Sequence, residues 1–298
     1  PRLPAMAHPI IINAITGGAD AVAKINESLA IVARETGSAM AVGSQFGTVR
    51  TGLHRDSYTI VRKCNPKGLI FANLSAFASV EQAKAAIDMI SADALQIHLN
   101  PAQELAMEEG DRDFSNCLSH IEAMVQGVGV PVIVKETGCG MAKKEAQDLL
   151  DVGVTLLDIG GAGGTNFPAI EHQRYPEGNE ELSEWGIPTV LSLLSVVQTV
   201  GWGNGVIASG GIRSALDVVK AQVLGASAVA MAGNLLQKIQ QEGTEETIHF
   251  LQRLLNKVLD FYTLLGCRTF RDLHEARYYL TGETAQAVSW LRKYDQND

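Results

Sequence analysis

The sequence predicts an α/β protein that folds as one (β/α)₈ barrel, a TIM barrel, and three observations lead to this fold class. The chain has 298 residues, 46% of them hydrophobic, which is enough for one large α/β domain or two smaller ones. Short β-branched or apolar runs alternate with longer amphipathic stretches, as in repeated strand–helix units. Eight such runs occur, which favours a closed barrel over the alternative, an open doubly wound sheet. We therefore expect residues 1–298 to form a single domain.

The eight predicted strands follow one another along the chain. They are Ile10–Asn13, Ala39–Val42, Leu69–Asn73, Ala94–His98, Val130–Lys135, Leu156–Ile159, Val206–Ser209 and Ala228–Met231. Between the strands, Ala83–Ile90 shows the spacing of apolar residues that is typical of a helix. Ala146–Asp151 is predicted as another helix, with Gly153 as its C-cap. Beyond the last strand, the patterning of Thr244–Tyr262 and of the tail to Asp298 predicts closing and accessory helices.

Composition and charge narrow the classes of partner. Charged residues make up 19% of the chain and the formal net charge is −9, which argues against a broad electrostatic grip on nucleic acid or an anionic membrane. No apolar run approaches the roughly 18 residues of a spanning helix. The four cysteines are scattered without a C-x-x-C pair, so neither a zinc knuckle nor a disulfide framework is indicated. We expect a cytoplasmic homo-oligomer with no nucleic-acid or membrane partner.

The residues that follow the strands are the most informative, because the active site of such a barrel lies at the carboxyl ends of its strands. Small, amide-bearing or charged residues are concentrated there. The segments are Asn13–Gly18, Gly43–Gln45, Asn73–Ser75, His98–Glu104, Lys135–Gly138 and Gly160–Asn166. Two polar stretches, His54–Ser57 and Gln173–Glu184, are predicted as loops over the barrel mouth. Together these residues could surround one ligand.

The last two strands predict a phosphate site. They run into Ser209–Arg213 and Ala232–Gly233, where glycines let backbone N–H groups approach a phosphate and the following helix N-termini add a favourable dipole. Arg213 can add charge. The alternative is that these glycines only make tight turns.

A lysine and a short polar segment supply the other candidates. Lys135 ends a buried strand, where an ammonium is costly without an anionic partner; beside a flavin ring it could stabilise the negative charge of the reduced form. The alternative is an ion pair with Glu136 or Asp158. In His98–Glu104, Pro101 interrupts the backbone, and Glu104 could hold Mg²⁺ or simply complement a helix dipole. Neutral hydrogen bonds to the ring could come from Thr16, Ser44 and Asn73.

Taken together, six motifs in the same order resemble those of the type 2 isopentenyl diphosphate isomerases. They are Asn13–Gly18, Gly43–Gln45, His98–Glu104, Val134–Gly138, Gly160–Phe167 and Ser209–Arg213. The resemblance implies an FMN-dependent, redox-neutral interconversion of isopentenyl diphosphate and dimethylallyl diphosphate. It also implies NADPH as the reductant of FMN, and Mg²⁺ for the diphosphate.

The resemblance also implies roles for individual residues. Those expected to contact FMN are Ala14, Ile15, Thr16, Ser44, Asn73, Lys135 and Thr165, with Gly211, Ile212, Arg213, Ala232 and Gly233 at its phosphate. Those expected to face the substrate are Ser44, Gln45, Phe46, His98, Asn100 and Gln103. Catalytic roles fall to His98, Asn100 and Gln103, and Glu104 would bind Mg²⁺. Reduced FMN would act as acid and base at N5, with Gln103 assisting or positioning the proton.

The sequence departs from the family pattern in two places. Family members usually carry an N-terminal segment with an Arg-Lys pair and a nearby His that grips the diphosphate, and we expect this segment to be missing before Pro1. Many members also have Arg directly after Gly-Ser-Gln, where this chain has Phe46. The rival readings are an FMN-dependent 2-hydroxy-acid oxidoreductase and a flavin-binding barrel without isomerase activity.

Overall fold

Eight parallel strands form a closed barrel in the computed structural model, which describes the backbone of residues 2–294 and the side chains of residues 2–290. Each strand pairs with the next, and β8 pairs with β1. The strands are β1 Ile10–Ile12, β2 Ala39–Ala41, β3 Ile70–Ser75, β4 Ala94–Leu99, β5 Val132–Glu136, β6 Leu156–Asp158, β7 Val206–Ala208 and β8 Ala228–Met231. The predicted barrel is confirmed, and the open sheet is excluded.

Helices surround the barrel and extend its loops. They are α1 Ala23–Thr36, α2 Phe46–Thr51, α3 Asp56–Cys64, α4 Val80–Ile90, α5 Pro101–Ala106, α6 Cys117–Gly127, α7 Lys143–Asp151, α8 Phe167–Arg174, α9 Thr189–Val200, α10 Ala215–Val223, α11 Gly233–Leu264 and α12 Gly282–Tyr294. A break at Gly243 interrupts α11. The predicted helical tail is thus present as α12, and residues 295–298 lie outside the described part of the chain. Within that part, no helix combines the length and apolarity needed to cross a bilayer.

The two polar stretches predicted as loops are partly helical. His54–Ser57 includes the first turn of α3, where the Asp56 carboxylate complements the helix dipole. Gln173–Glu184 contains the end of α8 and a 3₁₀ turn at Glu180–Glu184, whose start is capped by the Asn179 side chain. The sequence prediction missed these turns because short helices carry little periodic signal.

Local sequence signals explain where several helices begin and end. Ser79 and Gln82 form a reciprocal capping box at the start of α4, and Ser214 and Asp217 form another at the start of α10. The left-handed Gly37 ends α1. These caps fix the direction in which the chain leaves the sheet.

The barrel has two hydrophobic clusters because successive strand residues point to opposite sides. Ile10 and Ile12 pack outward against the helices, whereas Ile11 points inward. The inward cluster is built from strand residues, many of them small: Ile11, Ala39, Ala41, Phe71, Ala94, Ile133, Ile207, Ala228 and Ala230. Farther toward the carboxyl ends of the strands, buried inward positions become polar, as at Gln96 and Asp158. This polar layer separates the apolar interior from the barrel mouth.

Candidate active site

A cavity of about 570 Å³ opens at the carboxyl ends of the strands. Its wall comes from the segments that follow β1, β5, β6, β7 and β8. The lining residues are Asn13, Ala14, Ile15, Lys135, Glu136, Thr137, Gly138, Gly160, Gly161, Gly164, Thr165, Phe167, Ser209, Gly210, Gly211, Ile212, Arg213, Ala230, Met231, Ala232, Gly233, Asn234 and Gln237. The volume lies in the range of small-molecule and cofactor sites.

Glycines shape one part of this cavity. Gly210 and Gly211 have φ of +100° and +87°, a region that other residues rarely adopt. A Cβ on Gly211 would lie 2.2 Å from the carbonyl oxygen of Gly163. The loops after β6 and β7 therefore pack backbone against backbone, and the resulting wall presents bare peptide groups to a ligand. The exposed Arg213 adds the positive charge that an anionic ligand needs.

Lys135 points into the same cavity from the end of β5. The residue is only 8% exposed, and among the side chains described it has neither a hydrogen-bond nor an ion-pair partner. The ion pair with Glu136 or Asp158 that the sequence left open is therefore not formed. A nearly buried ammonium without a partner is costly, so this position favours binding of an electron-rich or anionic group.

The neighbouring Glu136 has a different environment. Its carboxylate accepts hydrogen bonds from the backbone N–H groups of Gly138, Cys139 and Gly140 at 2.6, 2.5 and 3.1 Å. Burial raises the pKa of Glu136 to about 7, although these hydrogen bonds and the charge of Lys135 act in the opposite direction. Glu136 thereby fixes the turn that carries the wall after β5.

A hydrogen-bonded polar layer lies inside the barrel beside the cavity. The Asp158 carboxylate, fully buried, accepts hydrogen bonds from Asn13 Nδ2 at 2.7 Å and from Ser209 Oγ at 2.5 Å. Asn13 Oδ1 in turn accepts from Gln96 Nε2 at 3.0 Å. The sequence analysis considered Asp158 only as an ion-pair partner of Lys135 and gave no role to Gln96. The signal was available, because a carboxylate and an amide inside apolar strands require buried partners.

Asn100, Gln103 and Glu104 form a second cluster, at the start of α5. Asn100 Nδ2 donates to Glu104 Oε1 at 2.8 Å, and Gln103 Nε2 donates to Glu171 Oε1 at 2.9 Å. Glu171 is 6% exposed and forms an ion pair with Arg174. Gln103 Oε1 accepts a long hydrogen bond from Asn100 Nδ2 at 3.5 Å, so Gln103 keeps one amide N–H and one oxygen lone pair for a ligand. Glu171 was missed by the sequence analysis because Gln103, its partner in the site, comes from a distant segment.

The structure brings most of the predicted FMN residues to the cavity wall. Those that line it are Ala14, Ile15, Lys135, Thr165, Gly211, Ile212, Arg213, Ala232 and Gly233. Three others do not line it. Thr16 Oγ1 donates to Asn26 Oδ1 at 2.5 Å, Ser44 is exposed at the mouth, and Asn73 is buried beside His98.

One predicted substrate contact is contradicted. The Gln45 side chain is fully buried, donates to the carbonyl oxygen of Ala86 at 3.0 Å, and accepts from the backbone N–H of Asn73 at 3.1 Å. It ties α4 to β3 and is closed to a ligand because backbone groups take up both ends of its amide. Phe46 is partly buried at the start of α2, with the Arg50 guanidinium 5.4 Å from the centre of its ring.

The comparisons with known proteins identify the family of this chain. The model of the FMN-dependent dehydrogenase family matches residues 66–280. The isopentenyl-diphosphate delta-isomerase of Bacillus licheniformis is 46% identical over 288 residues, which cover 96% of this chain and 81% of that protein. This chain belongs to the isopentenyl-diphosphate delta-isomerase family. The isomerase of a Geobacillus species is also 46% identical, over 94% of this chain and 80% of its own.

Solved structures with lower sequence identity share the fold of this isomerase-family chain. A mandelate oxidase mutant with a monooxide FMN adduct superimposes with a TM-score of 0.65 at 18% identity, over 93% of this chain and 81% of its own. A putative lactate oxidase of Pediococcus acidilactici gives 0.67 at 15% identity, over 92% and 77%. At this identity the likeness shows the barrel alone.

The family match supports FMN as the cofactor, and the cavity fits it. The wall around Gly210 and Gly211 provides the backbone approach and positive charge that a phosphate requires. The unpaired ammonium of Lys135 suits a flavin ring that gains electrons. An isomerase-family chain that binds FMN would therefore place the ring near Lys135.

Proposed function

We propose that this protein is an isomerase that interconverts isopentenyl diphosphate and dimethylallyl diphosphate with FMN as its cofactor. The observation that carries the proposal is the unpaired Lys135 ammonium in a cavity that also contains the glycine wall of Gly210 and Gly211. Binding of an electron-rich ring beside this ammonium would offset the cost of its burial. The 46% identity to named isomerases supports the same conclusion.

Residues of this chain would hold FMN in a defined orientation. We assign the ring to Ala14, Ile15, Lys135 and Thr165 on the cavity wall and to Thr16, Ser44 and Asn73 beyond that wall. We assign the phosphate to Gly211, Ile212, Arg213, Ala232 and Gly233. When reduced, FMN supplies an electron-rich ring and an N5 position that can give and take a proton. Lys135 would favour that reduced state because its fixed positive charge attracts the negative charge of the reduced ring. The role of the other contacts is to exclude water and fix the ring plane.

The reaction needs one proton added at C4 of the substrate and one removed from C2, with no net electron transfer. We assign the substrate side to Ser44, Phe46, His98, Asn100 and Gln103. Gln103 can position the hydrogen-bonding partners of a migrating proton, since Glu171 and Asn100 orient its amide and leave it one N–H and one oxygen lone pair. Asn100 Nδ2 donates to Glu104 and Gln103, so the Asn100 carbonyl oxygen would meet the diphosphate through a bridging water.

Mg²⁺ would bind at Glu104 together with the substrate. In the described part of the chain no three His, Cys, Asp or Glu side chains are grouped to hold a metal ion, so a metal bound by protein ligands alone is not supported. A single carboxylate with diphosphate oxygens and water fits Mg²⁺, which keeps several waters and is often shared with phosphates. NADPH would serve only to reduce FMN. We further propose a cytoplasmic location and a homo-oligomeric state.

Counting turnovers per reductant tests the proposed function. Under anaerobic conditions, protein whose FMN has been reduced once by NADPH or dithionite should form far more product than the reductant supplied. In D₂O, deuterium should enter substrate and product. Consumption of one nicotinamide per product would identify an ordinary oxidoreductase instead. If FMN binds and is reduced but no product forms, the chain is a flavin-binding barrel without this activity.

A further inference from the structure

A single chain of hydrogen bonds crosses the barrel interior and ends on His98. It runs from Asp158 to Asn13 (2.7 Å), then to Gln96 (3.0 Å), Asn73 (3.2 Å) and finally to His98 Nδ1 (2.9 Å). Asp158 and Gln96 are fully buried, and Asn13 and Asn73 are 4% and 2% exposed. Water can therefore not replace these partners easily, and each amide must satisfy its neighbours in one orientation.

The direction of the chain is set at Asn13. An amide can be turned over so that its nitrogen and oxygen exchange places, so an independent contact is needed to identify the atoms. The backbone N–H of Ala14 supplies it, because it donates to Asn13 Oδ1 at 2.9 Å. A backbone N–H can bond only to an acceptor, so Asn13 Nδ2 must face the Asp158 carboxylate.

Each following link is then determined. Asn13 Oδ1 also accepts from Gln96, so the Gln96 nitrogen faces Asn13 and its oxygen faces Asn73. The Asn73 nitrogen donates to that oxygen, which leaves Asn73 Oδ1 facing the His98 ring. An acceptor opposite Nδ1 requires that Nδ1 carry the hydrogen.

We propose that Asp158, Asn13 and Gln96 are positioning residues that hold His98 in the tautomer with hydrogen on Nδ1, leaving Nε2 as a bare acceptor. Burial, assisted by the charge of Lys135, lowers the pKa of His98 to about 3, while a backbone hydrogen bond to Leu74 opposes the shift. The ring is therefore neutral at neutral pH.

The tautomer restricts which ligand group His98 can meet. Diphosphate oxygens are acceptors and would be repelled by a bare Nε2, so His98 on the substrate side would reach the diphosphate only through a bound water. It requires an N–H or O–H donor, which among the proposed ligands is an N–H of the flavin ring or a bound water. This use of His98 rests on the proposed function. The tautomer itself follows from the hydrogen-bond chain alone.

The test reads the tautomer directly by NMR of the FMN-loaded protein labelled with ¹⁵N-histidine. The His98 signals are identified by their loss in His98→Gln. We expect a protonated, pyrrole-type Nδ1 and an unprotonated, pyridine-type Nε2. A hydrogen on Nε2 in the unaltered protein would overturn the proposal without any variant.

Two substitutions at Gln96 test whether the chain controls the tautomer. Gln96→Leu cuts the chain, so Asn73 can turn over and the His98 signals should shift toward a mixture with hydrogen on Nε2. Gln96→Glu presents an acceptor to Asn73 whether or not it is protonated, so the Nδ1–H form should remain. An unchanged tautomer in a folded Gln96→Leu protein, judged by circular dichroism and FMN content, would contradict the positioning role. These spectra do not depend on isomerase turnover, so they separate this inference from the proposed function.

Discussion

The two halves of the barrel mouth are built in different ways. In the half after β6, β7 and β8, which we call the glycine half, the wall is bare backbone at segments such as Gly160–Gly164 and Gly210–Gly211. In the half after β2, β3 and β4, which we call the amide half, side chains such as Gln45 and Asn100 already have protein partners. In the glycine half a ligand would fill a preformed space. In the amide half it would contact only those polar groups that are not already hydrogen-bonded within the protein.

The largest effect is expected from Gly211→Ala, which perturbs the glycine half. The Cβ would lie 2.2 Å from the Gly163 carbonyl oxygen, and the positive φ adds about 1–2 kcal/mol of strain. Together these should weaken FMN binding by about 100-fold, since about 1.4 kcal/mol corresponds to a factor of ten. Gly47→Ala in the amide half is the matched control, because no atom lies within 4 Å of its Cβ position. Equal FMN affinity of the two variants, measured by flavin fluorescence, would remove the distinction between the halves.

The second prediction concerns the amide half, where Glu104→Gln removes a carboxylate. A neutral amide is a poorer ligand for a hard dication, so the Mg²⁺ concentration for half-maximal isomerisation should rise by about tenfold, a change of about 1.4 kcal/mol. FMN affinity should stay the same, because Glu104 does not line the flavin cavity. The exposed Glu108→Gln is the control. If both variants keep the original Mg²⁺ dependence, Glu104 only orders α5 through Asn100 and Asp111.

The contrast between the halves also explains what the sequence could predict. The glycine half was predictable because a run such as Ser209–Arg213 after a strand demands backbone conformations that only glycine adopts readily. The strands were predictable because their apolar runs alternate with helical periods. In the amide half, the partner of an amide depends on distant segments. Gln45 was expected to face the substrate, yet its hydrogen bonds reach Ala86 and Asn73. No local pattern of the sequence contains that pairing.

The third prediction concerns Lys135, which borders both halves. Removing a nearly buried, unpaired charge should stabilise the FMN-free protein, and we expect Lys135→Met to raise its free energy of unfolding by about 1–2 kcal/mol. The same change should lower the reduction potential of bound FMN by about 30 mV, equivalent to about 1.4 kcal/mol for two electrons. Lys67→Met, at an exposed position, should change neither. A destabilised FMN-free Lys135→Met protein would mean that Lys135 is paired in solution.

The smallest expected effect is a change in how stability depends on pH, and it arises where Glu136 anchors the wall after β5. The pKa of Glu136 rises from 4.5 to about 7 in the folded protein, so between these values the folded state binds a proton that the unfolded state has lost. Proton binding by Glu136 therefore stabilises the folded state. This stabilisation is complete below pH 4.5 and is lost as the pH rises through about 7. From pH 6 to pH 8 the loss should be about 1 kcal/mol. Glu136→Gln cannot titrate and should lack it, whereas the exposed Glu145→Gln should retain it. Urea unfolding at the two pH values measures the difference among the three proteins. Identical pH slopes for Glu136→Gln and the unaltered protein would show that the three backbone N–H groups keep the Glu136 carboxylate ionised throughout this range.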